Sequence, residues 1–265
     1  MPAAIEFRDV SFAATQGRLL LDGISLALEE GTVTAVLGRS GSGKTTLLRT
    51  VNRMIEPTGG DVLVHGSRVR DSEIIALRRG MGYVIQETGL FPHFNIERNA
   101  GLVLEAEGRP RDERARRSRE LLTAVGLDPA SFAHRFPHQL SGGQRQRVGL
   151  ARALAAEPRI LLMDEPFGAL DPLTRAEMQD MLRDLLSKLT GSRKTVLLVT
   201  HDLDEALYLA DRIVLLEAGK LIANLEPAAF LQSAQPEIVS YVRAFHRGER
   251  EHASTAAAHS SAETQ

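Results

Sequence analysis

"TVTAVLGRSGSGKTT" (Thr32–Thr46) decides the fold. An apolar run of strand type, Thr32 to Gly38, enters a glycine loop and leaves it as a helix from about Lys44 to Val51. Gly38, Gly43, Lys44 and Thr45 fit the pattern G-x-x-x-x-G-K-[ST]. In that pattern the glycines let backbone N–H groups wrap a chain of phosphates, the lysine supplies charge to the β and γ oxygens, and the threonine hydroxyl is placed for Mg²⁺. The whole loop and first helical turn therefore count as phosphate-binding: Gly38, Arg39, Ser40, Gly41, Ser42, Gly43, Lys44, Thr45 and Thr46. Lysine is scarce in this chain, occurring only as Lys44, Lys188, Lys194 and Lys220, so its place in the loop is informative.

Outward from the loop, the pattern of strand, loop and helix repeats. "MGYVIQ" (Met81 to Gln86), "RILLMDEP" (Arg159 to Pro166), "TVLLVTH" (Thr195 to His201) and "RIVLLEAGK" (Arg212 to Lys220) are short apolar runs that end in polar residues. Runs that are apolar throughout suit strands covered on both faces, as in a parallel sheet. "IEFRDVSFA" and "DVLVHGSRV" alternate, which suits an antiparallel sheet near the N-terminus. Between Glu87 and about Ala156 the reading is helical. "RDERARRSRELLTAVG" places Leu121, Leu122 and Val125 on one face and Arg and Glu on the other, a solvated helix face. The predicted fold class is α/β: a P-loop NTPase core with a mostly parallel sheet, an N-terminal antiparallel β-subdomain and an inserted helical subdomain over about 87–156. The ATPase domain is expected to occupy 1–245. The segment 246–265 lacks large apolar residues and is expected to be a disordered tail.

Bulk properties narrow the function classes. The 265-residue chain has no cysteine, which excludes a disulfide framework and thiol chemistry and fits a reducing compartment. A formal net charge of −2 gives no electrostatic footprint for nucleic acid. No apolar run approaches the roughly 20 residues that span a bilayer, and the N-terminus does not read as a signal peptide. A cytosolic protein is expected, one that serves a membrane only through a partner.

Three strand ends carry candidate chemistry. Asp164 ends "ILLMD", where an aspartate holds Mg²⁺ across from Thr45. Glu165 follows as the expected general base for the attacking water. His201 ends the run expected beside Asp164, at the carboxyl edge where open α/β sheets bind ligands, and is assigned to the γ-phosphate and the water. Gln86 ends another run at that edge, with an amide oxygen for Mg²⁺ or the water.

A second anion site lies in "LSGGQRQRVGLARAL" (Leu140–Leu154). Ser141 is a good N-cap with Gln144 at capping-box spacing. Capping alone does not call for Gly142 and Gly143, which weaken a first turn. Their expected value is close approach by an anion at the positive end of the helix dipole.

The LSGGQ stretch, the phosphate loop, "YVIQE", "LLMDEP", "GALD" and "THD", in this order, resemble the ATP-binding subunit of ABC transporters over about residues 5 to 230. The resemblance implies ATP and Mg²⁺ as ligands. It also implies a head-to-tail dimer of two copies, each nucleotide lying between one chain's phosphate loop and its partner's Ser141, Gly142, Gly143 and Gln144. Asp171 then lies across the dimer interface. Within the superfamily, "VNRMIEPTGGDV", "VIQETGLFPHFNIERN" and "FPHQLSGGQRQRVGLARALAAEPRILLMDEPFGALDPLTR" look like the branch that imports glycine betaine, carnitine, choline and related osmoprotectants. That likeness implies a peripheral position on the cytoplasmic face, with integral permease subunits docking near Gln86 and "GLFPHF" (Gly89–Phe94), and indirectly an extracytoplasmic solute-binding protein. Amino acids or another small solute are the alternative cargo. A soluble ABC ATPase of DNA repair or translation is the rival class, but the chain has neither a long coiled coil nor a second cassette. The paired CBS domains of many members of this branch are not expected here. One departure stands out: the aromatic that stacks on adenine in the family falls near Ala13 to Thr15, best at Ala14, and none of these is aromatic. Phe12 is the nearest candidate.

Overall fold

A computed structural model describes residues 3–14, 17–86, 88–188 and 194–246. The chain opens with β1 (Ala3–Ala13), β2 (Leu19–Glu29) and β3 (Val33–Leu37), then α1 (Lys44–Val51), β4 (Gly59–Val64), β5 (Ser67–Arg68), α2 (Ile74–Arg79) and β6 (Met81–Val84). Five helices follow: α3 (Ile96–Ala100), α4 (Leu102–Ala106), α5 (Arg111–Ala124), α6 (Pro129–Phe132) and α7 (Gly142–Leu154). Next come β7 (Ile160–Asp164), α8 (Pro172–Lys188), β8 (Thr195–Val199), α9 (Leu203–Leu209), β9 (Arg212–Glu217), β10 (Lys220–Leu225) and α10 (Pro227–Leu231), and a helix α11 over 236–246 ends the described chain.

The central sheet has the order β10-β9-β3-β8-β7-β6. All its pairings are parallel except β10 on β9, an antiparallel edge. Its strands read as unbroken apolar runs because both faces are covered. Leu37, Leu161, Met163, Leu198 and Leu215 point into one core with the helices α5, α7 and α8, whereas Val36, Leu162, Leu197, Val199 and Val214 meet α1 and the N-terminal sheet on the other side. Leu161 and Leu162 are each fully buried on opposite faces, worth about 2–3 kcal/mol apiece in area removed from water.

The N-terminal sheet, β2-β1-β4-β5, is antiparallel as expected. It gains a strand the sequence reading left out. In β2, Ile24, Leu26 and Leu28 are buried and alternate with exposed residues, the period of a half-covered strand. β10 is likewise left out: the apolar run expected over Arg212 to Lys220 ends at its first residue, and the turn at Ala218–Gly219, both at positive φ, separates it from β9. Between β6 and β7 the described residues are helical, with Leu121, Leu122 and Val125 buried as their spacing required. Glu87, the expected start of that segment, lies outside the described residues. So does the expected tail, apart from His246, which closes α11.

Candidate nucleotide site

Parallel pairing brings four loops to one edge. In spatial order β3, β8, β7 and β6 end at the phosphate loop, at His201, at Asp164–Glu165 and at Gln86. Val199 is the register partner of both Val36 and Asp164, so the histidine loop lies between the phosphate loop and the two carboxylates. The strands stop earlier than expected: β6 at Val84 and β8 at Val199 leave Gln86 and His201 two residues beyond, in bends.

The phosphate loop is shaped by close packing. A Cβ on Gly38 would run into the carbonyl of Leu216, and one on Gly43 into the carbonyl of Leu20. Gly43 caps α1 at φ 103, a conformation that L side chains rarely adopt. Lys44 is buried, and its ammonium folds back on the carbonyls of Gly38 (2.8 Å) and Arg39 (3.1 Å). Burial pulls its pKa below the ordinary lysine value, and the Glu165 and Asp164 carboxylates oppose that shift. The Ser42 hydroxyl is buried without a hydrogen-bond partner. A buried cation satisfied only by loop carbonyls, next to an orphaned hydroxyl, is a site fitted to phosphate oxygens.

The Thr45 hydroxyl donates to Asp164 Oδ1 at 2.7 Å. The other oxygen of Asp164 faces Arg49 at 3.5 Å, a contact the sequence reading missed. A hydroxyl and a nearly buried carboxylate side by side are the oxygen donors that Mg²⁺ takes, alongside phosphate and water. Glu165 stands at φ 45, in the left-handed region, and its N–H is fixed by the Val199 carbonyl at 2.9 Å. Non-glycine residues in this region cluster at functional sites. Its Oε2 accepts from Gln86 Nε2 at 3.4 Å and lies 3.3 Å from His201 Nδ1. The structure thus gathers Lys44, Thr45, Asp164, Glu165, His201 and Gln86 into one cluster.

The second glycine site sits elsewhere, at the start of α7. Ser141 and Gln144 form the reciprocal capping box: Gln144 N–H donates to Ser141 Oγ at 3.2 Å, and Ser141 N–H to Gln144 Oε1 at 3.0 Å. The two glycines differ. Gly142 is exposed, and a Cβ there would meet the Leu170 side chain at ordinary contact distance, whereas Gly143 is buried, and a Cβ there would strike the Thr174 methyl. Gly143 therefore also makes room for α8. Asp171 accepts from Thr174 N–H at 3.1 Å, and bonds from Thr174 hold its carboxyl below the usual range.

Between β6 and α3, Phe91 is exposed and stacks on Phe94 with centroids 5.4 Å apart. Asn99, fully buried, holds the loop by accepting from Phe91 N–H and donating to the carbonyls of Phe91 and Phe94. Phe12 is part of the packing around the core beside the N-terminal sheet, which leaves Ala14 in the turn that follows β1. Thr15 lies outside the described residues. Among those described, no helix is long and apolar enough to cross a membrane.

A phosphate loop on a parallel sheet, with a carboxylate pair at the adjoining strand ends, defines a P-loop NTPase. A helical segment between β6 and β7, carrying a capped glycine pair, narrows that class. The chain belongs to the ABC transporter family: residues 21–168 match the description "ABC transporter". It is 43% identical over 235 residues to the choline transport ATP-binding protein OpuBA of Bacillus subtilis, covering 89% of this chain and 61% of that protein. It is 44% identical over 230 residues to the glycine betaine uptake system ATP-binding protein YehX of Escherichia coli, covering 86% and 72%. This chain therefore spans about three fifths of the Bacillus relative's length. The dimeric structure of MJ0796, a bacterial ABC transporter cassette, superimposes with a TM-score of 0.75 at 34% identity, covering 84% of this chain and 98% of that one.

Proposed function

We propose that this chain hydrolyses ATP as the cytoplasmic, peripheral subunit of an importer for osmoprotectants of the quaternary-amine class. The observation that carries the hydrolytic part is Glu165, clasped between Gln86 and His201 next to the Thr45–Asp164 pair. Lys44 and the loop amides bind the phosphates of ATP. Thr45 and Asp164 hold Mg²⁺, which supplies charge neutralisation on the phosphate oxygens when bound. Glu165 accepts the proton of the attacking water, and His201 and Gln86 keep that carboxylate and the water aligned. The reaction releases ADP and inorganic phosphate.

Two copies act together. The capped end of α7, with Ser141, Gly142, Gly143 and Gln144, covers the nucleotide held by the partner's phosphate loop, and Asp171 lies at the same interface. Closure on ATP and reopening after hydrolysis drive the permease through the Phe91–Phe94 loop, whose exposed ring offers a contact. The likeness to choline and glycine betaine transport proteins supports the cargo class. The test is the complex with its permease in vesicles, with the solute-binding protein added. ATPase activity should rise only when that protein carries a quaternary amine such as choline or glycine betaine. Stimulation by amino acids instead would replace the cargo class.

A further inference from the structure

We infer that Tyr241 is a positioning residue for His201, its hydroxyl tying the backbone of the histidine loop to α11 beside the phosphate loop. The Tyr241 hydroxyl donates to the carbonyl of His201 at 3.2 Å. One oxygen on α11 thus holds the loop that follows β8, next to the phosphate loop that follows the neighbouring strand β3. This inference rests on the reading of His201 as a group that orients the water.

The ring reaches that place because of how α11 packs. Ile238, Tyr241, Val242 and Phe245, at i, i+3, i+4 and i+7, form an apolar stripe against the main core. Tyr241 shares a crevice with Arg39, Leu216 and Ser240, directly beside the phosphate loop. Burial pushes its phenol up to about 12, so the hydroxyl keeps its proton, and hence its bond to His201, at any physiological pH.

The histidine loop has reason to need this tether. The His201 side chain is 59% exposed and touches Glu165 only at 3.3 Å. The neighbouring Asp202 is held by Arg175 at 2.9 Å and through its N–H by Thr200 Oγ1 at 3.0 Å. Those bonds anchor Asp202; the Tyr241 bond acts on the His201 backbone itself.

Tyr241→Phe deletes the hydroxyl and keeps the ring in its stripe. In the wild-type background we expect kcat for ATP to fall about fivefold, the loss of one net hydrogen bond, with KM changed less than about twofold. The melting temperature should stay within about 2 °C of wild type. In a His201→Ala background the same substitution should change the residual rate by less than about 1.5-fold, because a tether without its load has no further effect. In the nucleotide-free chain, the His201 ring resonance, assigned through His201→Ala, should shift or broaden in Tyr241→Phe. A wild-type rate in Tyr241→Phe, or an equal fold-loss in both backgrounds, overturns the role. An unchanged His201 resonance overturns it as well, and that reading needs no turnover. A wild-type chain without ATPase activity counts against the proposed hydrolysis, and the resonance still decides on Tyr241.

Discussion

The hydroxyl of Thr45 donates to Asp164 Oδ1 at 2.7 Å, joining residues 119 positions apart at the ends of different elements. The pair presents two oxygens where a divalent ion would meet phosphate. Thr45→Val keeps the branched shape and removes the hydroxyl. ATP affinity in EDTA should be unchanged, and the gain in affinity on adding Mg²⁺ should shrink at least about tenfold. Nucleotide titration with and without the ion measures this. A full Mg²⁺ response in Thr45→Val would remove Thr45 from the metal site.

Glu165→Gln keeps the backbone at φ 45, its N–H bond to Val199 and the side-chain length, while removing the base. Hydrolysis should fall by about 10²-fold or more. ATP should still bind, since Lys44 and its loop are untouched. With one negative charge fewer opposite the γ-phosphate, an ATP-stabilised dimer should appear on size-exclusion chromatography. Wild-type turnover in this variant would sink the role of Glu165.

Much of this site was legible because each functional residue stands at the end of an apolar run. "ILLMD" and "LLVTH" announce buried strands, and in a parallel sheet the ends of buried strands converge. What the runs do not encode is which strands are neighbours, and so the clasp of Gln86 and His201 on one oxygen of Glu165 had to be seen. β2 was missed although Ile24, Leu26 and Leu28 alternate cleanly; Asp22 and Gly23 interrupt its apolar opening and disguise it as a turn. Gly143 has a second reason to be glycine. Its need for space comes from Thr174 on α8, 31 positions on, a packing relation that no local pattern states. Tyr241 is readable as a core position from its stripe, but nothing in the sequence connects its hydroxyl with His201.

A mixed dimer tests whether the sites are shared. One chain carries Lys44→Ala and the other Ser141→Arg. If each nucleotide lies between two chains, one composite site regains both an intact phosphate loop and an intact Ser141. The mixture should then hydrolyse ATP although neither variant does so alone, at up to about half the wild-type rate if sites turn over independently. Proven heterodimers with no recovery would mean that each chain uses its own capped helix.

Glu205 predicts a pH effect. It is buried on α9 with Oε1 unpartnered. Burial first, then the nearby Asp202 carboxylate, raises its pKa from 4.5 to about 8; Glu165 adds to the rise, while Thr200 and Arg175 oppose it. The folded state therefore keeps a proton that the unfolded chain releases. Stability from this group is fully present below about pH 4.5 and is lost as pH rises toward 8, a change of roughly 3–5 kcal/mol at most. Glu205→Gln, neutral at all pH, should flatten that decline and gain on wild type between pH 6 and 9. Thermal melts across this range measure it. A difference from wild type that does not vary with pH would show that Glu205 is already ionised in the fold.

The last prediction concerns adenine. Phe12 packs against the core beside the N-terminal sheet, and Ala14 follows β1 in a turn closed by its N–H on the Arg18 carbonyl at 2.9 Å. If the base lies over Ala14, it meets a methyl group where the family resemblance implies a ring, and the phosphates would then carry most of the affinity. Aromatic stacking on a base is worth about 1–3 kcal/mol in nucleic-acid complexes, so Ala14→Tyr should tighten ATP by about fivefold or more and sharpen the preference for ATP over GTP. The turn bonds through Ala14 are backbone bonds and survive the substitution. Phe12→Ala should lower the melting temperature by opening the core edge, with little change in nucleotide affinity. The opposite pattern, affinity lost in Phe12→Ala and none gained in Ala14→Tyr, would place the base on the Phe12 side of the strand and overturn the register assigned to Ala14.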